Sequence, residues 1–376
     1  MAAVRIAMVH SSFAAVGGAE HYVRNLSRAL AGRGHQVRIF CRPGPHLEPA
    51  EHPVGTRRLH GSNRLVTHLA DLVDPTGLTP GDLAGFRPDV VHVHNWQGIG
   101  VLPVARLARR YPTCHTVHDH AICDPNNALA HRGRSAAVDR LLGMRSAWLV
   151  RQLRDVTLLW PTERTRDLVY AHVPSVARLA GRVVPLAVPG ADRTWPPGSP
   201  DVVLYLGALR PHKGVDTLLS AWRAVAGQIA ATLLIAGDGP GREQVVAAGR
   251  DCPSIRYLGY LDEAGKARAM RQAGWLAFPS RCPETFGLVC AEALQAGRPI
   301  ITTDIARPPM ASDTSLIRVS DGDALRNALR TAVGMPAARY REMSASAAAD
   351  GRRLDWDAHV EEVIQVYRTL CGVPAP

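Results

Sequence analysis

The chain is poor in aromatic residues, which make up 5% of its 376 positions, and they are not interleaved with basic side chains. Single-stranded nucleic acids are gripped by rings set among cations, so the formal net charge of +11 points instead to an anionic small ligand or a membrane surface. No nucleic acid partner is expected. The seven cysteines (Cys41, Cys114, Cys123, Cys252, Cys282, Cys290, Cys371) are odd in number and lack CxxC spacing, which argues against a disulfide framework and a structural zinc site. A reducing, cytoplasmic compartment is the expectation. No apolar run approaches the roughly 20 residues a spanning helix needs. The opening MAAVRIAMVHSSFAAVGG has a short apolar run broken by Arg5 and His10, and reads as a buried first strand rather than a leader. The basic stretch His131–Arg154 suits peripheral contact with the inner face of a membrane; a solvated helix face is its plainer reading.

What the chain has is length and alternation. A sequence of 376 residues suits two domains, each able to bury its own core. Val4–Val9, Gln36–Phe40, Asp89–His94 and Thr113–His118 read as buried strands, with helices over Ala19–Ala31 and Pro103–Arg110. After the Pro-rich linker Val188–Asp201 the same grammar resumes, with strands at Val202–Leu206, Thr232–Ala236, Arg256–Leu258, Leu276–Phe278 and Pro299–Thr302. Repeated βαβ units imply parallel sheets with helices on both faces. Asp355–Leu370 reads as an amphipathic helix. Ligands of such sheets bind beyond the carboxyl ends of the strands, so functional residues belong in the loops after strands.

The stretch Arg281–Ile301, RCPETFGLVCAEALQAGRPII, carries the most chemistry. It follows a strand and is expected to open a helix that ends at Gly297. Were both Glu284 and Glu292 on that helix, they would lie about 12 Å apart along its axis. That exceeds the roughly 5–10 Å of two carboxylates sharing one glycosidic bond, but suits opposite ends of a nucleoside diphosphate sugar. Between them the first-turn amides near Phe286, Gly287 and Leu288 would form an anion site for the diphosphate.

This E-x7-E segment resembles the signature of glycosyltransferase family 4, retaining enzymes of the GT-B fold. VGGAE (Val16–Glu20), PDVVHVHN (Pro88–Asn95), TVHDHAIC (Thr116–Cys123), LGALRPHKGVDTLL (Leu206–Leu219) and IAGDGPGRE (Ile235–Glu243) resemble further family segments, in the family's order. The resemblance implies an α/β fold of two facing Rossmann-like, doubly wound parallel-sheet domains. These are an acceptor-binding domain over 1–188, a nucleotide-sugar donor-binding domain over 200–354, and a C-terminal helix over 355–371 crossing back to the first. It implies that Glu284 lies near the transferred sugar, that Glu292 accepts from the ribose hydroxyls, and that Lys213 pairs with the diphosphate, as befits a compact cation. His118 would contact the donor sugar, with Asp119 orienting it or meeting the acceptor hydroxyl. Gly17 and Gly18 would lie against the distal phosphate or the acceptor. Two departures stand out. Ala208 follows Gly207 where the family has Arg, leaving Arg210 as the substitute. Ala306, Arg307 and Met310 replace a Gly-Gly pair and an acidic residue, which leaves the sugar open.

No cofactor and no catalytic metal are expected. Asp321–Gly322–Asp323 imitates a metal-binding DxD but precedes ALRNALRTAV and reads as a helix cap. HVH alternation puts His92 and His94 on one side of a strand. The reading is therefore a retaining hexosyltransferase drawing on a nucleotide sugar, UDP before GDP. Its acceptor is open among a lipid carrier, an oligosaccharide and a natural-product scaffold. The alternatives are a nucleotide-sugar epimerase of the same fold and an inactive binding homologue. A pyridoxal-phosphate phosphorylase needs a lysine in the C-terminal half, which besides Lys213 holds only Lys266, in a polar, surface-like helix.

Overall fold

A computed structural model describes residues 3–13, 17–44, 47–54, 71–73, 78–125, 129, 136–190 and 195–372. The chain forms two compact units, Met1–Leu186 with Asp357–Pro376, and Ala187–Trp356. In the first, β1 (Arg5–Val9), α1 (Gly18–Gly32), β2 (Gln36–Cys41), β3 (Glu51–Pro53), β4 (Val90–Val93) and α2 (Val101–Ala108) come in order. β5 (Thr113–Thr116), α3 (Ala136–Gln152), β6 (Val156–Trp160), α4 (Glu163–His172) and β7 (Gly181–Val183) follow. Their strands make a parallel sheet in the order β3-β2-β1-β4-β5-β6-β7. Every residue of β4 and β5 is buried, because central parallel strands are covered on both faces.

The second unit holds β8 (Ser199–Leu206), α5 (Val215–Val225), β9 (Thr232–Ala236), α6 (Arg242–Asp251), β10 (Ile255–Gly259) and α7 (Glu263–Gln272). β11 (Ala273–Phe278), α8 (Leu288–Gln295), β12 (Ile300–Thr303), β13 (Leu316–Val319), α9 (Gly322–Val333) and α10 (Ala337–Arg352) complete it. The sheet order is β10-β9-β8-β11-β12-β13, all parallel. β11, in the interior, is buried throughout, whereas β10, at the edge, exposes alternate residues. The fully buried Arg298 ties this unit together. Its Nε donates to Met270 O at 2.9 Å, and its two Nη groups donate to Pro196 O at 2.9 Å and Arg271 O at 3.2 Å.

The chain ends in α11 (Trp356–Leu370), which packs in the first unit although the second precedes it. Val360, Val363, Ile364 and Tyr367 are buried. Polar contacts fix its rotation: the Tyr367 hydroxyl is hydrogen-bonded to His92 Nδ1 at 2.7 Å and His359 Nε2 to the Tyr22 hydroxyl at 2.8 Å. Asp321 is the expected helix cap, its carboxylate opening α9 by accepting from Ala324 N at 2.8 Å. Strands β3, β6, β7 and β13 carry no turn or alternation signal strong enough to be read from the chain alone. No helix among the described residues is long and apolar enough to cross a membrane.

Candidate functional site

In the second unit, three loops meet at the carboxyl edge of the sheet: 207–214 after β8, 237–241 after β9, and 279–287 after β11. Backbone bonds tie them, Leu209 N donating to Asp238 O at 2.9 Å and Arg281 N to His212 O at 2.8 Å. Gly214 makes the closest approach. Its φ is +72° and a Cβ there would stand 2.0 Å from Pro279 O, so the PHKG turn accepts no side chain at that position. The turn delivers Lys213, whose Nζ lies 2.7 and 3.0 Å from the two carboxylate oxygens of Glu284. Ser280 Oγ donates to Glu284 Oε1 at 2.7 Å, and Thr303 Oγ1 in turn holds Ser280 O at 2.5 Å. The side chains of Lys213 and Glu284 are 27% and 12% exposed, so this pair is only partly screened by solvent.

The helix does not cover both glutamates. α8 starts at Leu288, four residues after Glu284, because Gly287 adopts a left-handed φ of +84° that an α-helix cannot continue through. Glu284 stands in the loop, and the 12 Å separation along one helix axis does not apply. The first turn of α8 nonetheless leaves amides without an acceptor inside the helix. Gly287 O accepts from Cys290 N at 2.8 Å and Ala291 N at 3.2 Å, and the amides of Leu288 and Val289 precede these first helical bonds. Phe286 is buried and anchors the loop rather than lining it.

Glu292 is 32% exposed and 3.5 Å from Lys266 Nζ, which also reaches Glu263 at 2.5 Å. Lys266 is not a surface residue of a polar helix, as its sequence context suggests. Its side chain is 15% exposed, and although burial opposes the ammonium, Glu292 and Glu263 outweigh that and raise its pKa. Arg210 is exposed. Ala306 is buried in the core rather than turned outward, and Arg307 pairs with Asp313 at 3.2 Å.

In the first unit, the candidate residues follow β1, β4 and β5. Gly17, exposed, is the N-cap of α1, and its amide donates to Glu20 Oε2 at 2.8 Å. Glu20 Oε1 is 2.9 Å from His10 Nε2, so one carboxylate holds the glycine turn and a buried imidazole together. Gly18 is the exposed first residue of α1. His118 Nε2 lies 3.2 Å from His94 Nδ1, and the Tyr22 ring packs edge-to-face on His118 with the ring centroids 5.2 Å apart. Burial pushes the His118 and His94 imidazoles well below their ordinary range, with neighbouring histidines adding to the effect. His118 is therefore neutral at pH 7, a hydrogen-bonding group rather than a cation. Asp119 is raised to about 6, chiefly by burial, while its Oδ1 accepts from Ala121 N at 2.9 Å.

His92 and His94 do share one side of β4, with ring centroids 3.9 Å apart. Both nitrogens of His92 are occupied by hydroxyl groups, those of Tyr367 and Thr116, each at 2.7 Å. His115 points elsewhere, its Nδ1 against Val93 O at 2.9 Å. Among the described residues no group of three or more metal-ligating side chains is arranged around a common point. Sequence reasoning missed Ser280, Lys266, Tyr22 and the His10–Glu20 pair. Only Ser280, beside Pro279 in a post-strand loop, had a local signal.

Two parallel Rossmann-like sheets with their loops gathered at the carboxyl edges define the GT-B class of glycosyltransferases. Residues 16–175 match the profile described as Glycosyltransferase Family 4, and residues 200–334 the one described as Glycosyl transferases group 1. The chain belongs to glycosyltransferase family 4, whose members take sugars from nucleotide-sugar donors. It is 28% identical over 408 residues to a glycogen synthase of Mycobacterium tuberculosis, covering 97% of this chain and 94% of the relative. It is 27% identical over 387 residues to a phosphatidyl-myo-inositol mannosyltransferase of Mycobacterium leprae, covering 98% and 97%. In fold it resembles sucrose-phosphate synthase from Thermosynechococcus elongatus, with a TM-score of 0.77 at 20% identity, over 98% and 99% of the two chains.

Proposed function

We propose that this glycosyltransferase moves a hexose from a nucleoside diphosphate sugar, UDP before GDP, to an acceptor hydroxyl with retention at the anomeric carbon. The observation that carries the reading is the Lys213–Glu284 pair, buttressed by Ser280 and set before the amides of α8. Lys213 is a compact cation already partnered by a carboxylate; a diphosphate arriving at the α8 terminus competes for it. Glu284, released from one of its two contacts, then accepts hydrogen bonds from the sugar. Glu292 meets the ribose hydroxyls, and Lys266 sets its orientation. A structural neighbour, the HepE protein of Anabaena, was crystallised with UDP-glucose, in keeping with a uridine donor.

In the reaction, the bond from C1 to the β-phosphate oxygen breaks with its electron pair going to the diphosphate. Lys213 and the α8 dipole stabilise the charge that develops there. The acceptor oxygen bonds to C1 on the same face, and its proton passes to the departing phosphate oxygen. His118, neutral, donates or accepts a hydrogen bond at the donor sugar without changing charge. Arg210, exposed beside Lys213, stands in for the arginine absent at Ala208, and Gly17 and Gly18 leave room for phosphate or acceptor. A metal is not required in this scheme, since Lys213 and the helix terminus carry the electrostatic work.

A thermal-shift screen with UDP, GDP, ADP and dTDP tests the nucleotide, with the largest stabilisation expected for UDP. Glu284→Ala should lower kcat about a hundredfold or more, as loss of a positioned electrostatic group does. Glu292→Ala should mainly raise the donor KM. Full transfer by the Glu284→Ala protein would refute the site. Conversion of donor without acceptor would identify an epimerase instead.

A further inference from the structure

The opposite end of the first unit's sheet holds a cavity that the transfer site does not use. Arg109, Trp148, Arg151, Gln152 and Arg154 line it, and its volume is about 270 Å³. Arg109 caps the end of α2, the middle three residues belong to the last turns of α3, and Arg154 lies in the 3-10 turn Leu153–Asp155 that enters β6. Both helices end where the next parallel strand begins, so the cavity sits at the amino edge of the sheet. His94 and His118, by contrast, follow the carboxyl ends of β4 and β5.

Cations at helix ends have a plain explanation, because each carboxyl terminus carries about half a negative charge. Two such ends and Asp155, 3.4 Å from Arg154, offset only part of three guanidinium groups. The surplus is about one positive charge. Arg109 and Arg151 are exposed and make no ion pair within the described residues. The guanidinium fork matches phosphate oxygens, and Trp148 adds a flat, half-buried wall. From Trp148 an apolar stripe runs back along the same helical face, through Met144 at 66% and Leu141 at 65% exposure. Singly exposed apolar side chains are ordinary; a stripe that ends in a cationic cavity matches a molecule with a phosphate beside an apolar or uncharged body.

We propose that this cavity binds a phosphate ester, with the phosphate on Arg109, Arg151 and Arg154 and the body against Trp148. The ester comes either from an anionic phospholipid headgroup or from a soluble organic phosphate. The binding is independent of the transfer reading, since no residue of the donor or His118 sites takes part.

The test uses the full chain and two arms. One is co-sedimentation with phosphatidylcholine vesicles with and without phosphatidylglycerol; the other is calorimetric titration with glucose 6-phosphate. Arg109→Ala/Arg151→Ala should weaken whichever arm the native protein shows by about thirtyfold, at roughly fivefold per cation. The charge-matched Arg339→Ala/Arg341→Ala on α10 should shift it less than about twofold. Leu141→Gln/Met144→Gln should weaken the vesicle arm alone. Binding to vesicles only assigns the lipid source, and binding to glucose 6-phosphate only assigns the soluble one. No binding in either arm, or equal loss in the charge-matched control, overturns the proposal. UDP-induced thermal stabilisation should survive the Arg109/Arg151 changes, which keeps the outcome separate from that of the donor site.

Discussion

Acidification should open the first unit long before the second. Burial holds five of its histidines neutral: His92 at about 3, His115 and His359 at about 4, and His94 and His118 well below the ordinary value. Each titrates near 6.5 once unfolded. As pH falls below that value, the unfolded chain takes up protons that the fold refuses, so stability present above pH 6.5 is lost down to the folded pKa. Between pH 7 and pH 5 His92, His115 and His359 each cost about 2 kcal/mol, and His94 and His118 act in the same direction. Asp119 works the other way. Its folded pKa is raised to about 6, so protonation on acidification returns about 1.4 kcal/mol. The balance of His92, His115, His359 and Asp119 is about 4 to 5 kcal/mol, close to the whole stability of a marginal domain. The second unit contains a single histidine, His212, in Ala187–Trp356; burial lowers its pKa too, but it is one group against five. Hydrogen exchange at pH 7, 6 and 5, corrected for intrinsic rates, resolves the two units by peptide. Protection in β4, β5 and α11 should collapse toward pH 5, while β8 and β9 keep theirs. A change in first-unit stability below about 2 kcal/mol over this range would show that these imidazoles are not held neutral and would refute the reasoning.

Three further outcomes follow from single contacts. Gly214→Ala places a Cβ 2.0 Å from Pro279 O at a φ of +72°; it should destabilise the second unit by about 3 kcal/mol or more, read by thermal unfolding, and weaken donor binding. Lys266→Met removes the cation 3.5 Å from Glu292 and should raise the donor KM about tenfold, the scale of one charged hydrogen bond, with kcat kept. Tyr22→Phe deletes the hydroxyl bonded to His359 while keeping the ring beside His118. A loss of about 1 kcal/mol in urea unfolding is expected, with little change in transfer rate.

Much of the fold was legible because its signals are local. Short apolar runs at β1, β4, β8, β9 and β11 sit between glycine turns and amphipathic stretches, and only a parallel α/β sheet buries such runs on both faces. The segment PETFGLVCAEALQAGRPII and the PHKG loop likewise identified the family without coordinates. The edges were harder. β3 and β7 have three residues each, too few for a periodic pattern, and their partners are set by contacts distant in the chain.

The sequence by itself determined the class of enzyme, the two sheets and the candidate residues Lys213, Glu284, Glu292 and His118, because three stand in post-strand loops and Glu292 on the helix that follows one, each within its own local motif. Tertiary structure decided how they are held. It put Glu284 in the loop before α8 rather than on it, since a left-handed Gly287 stops the helix. It brought Lys213 across 71 positions to the Glu284 carboxylate and Lys266 across 26 to Glu292. It surrounded His118 with His94, Tyr22 and, through Tyr22, the last helix. Such contacts depend on side chains far apart in sequence meeting in a medium that excludes water, and no local pattern encodes that.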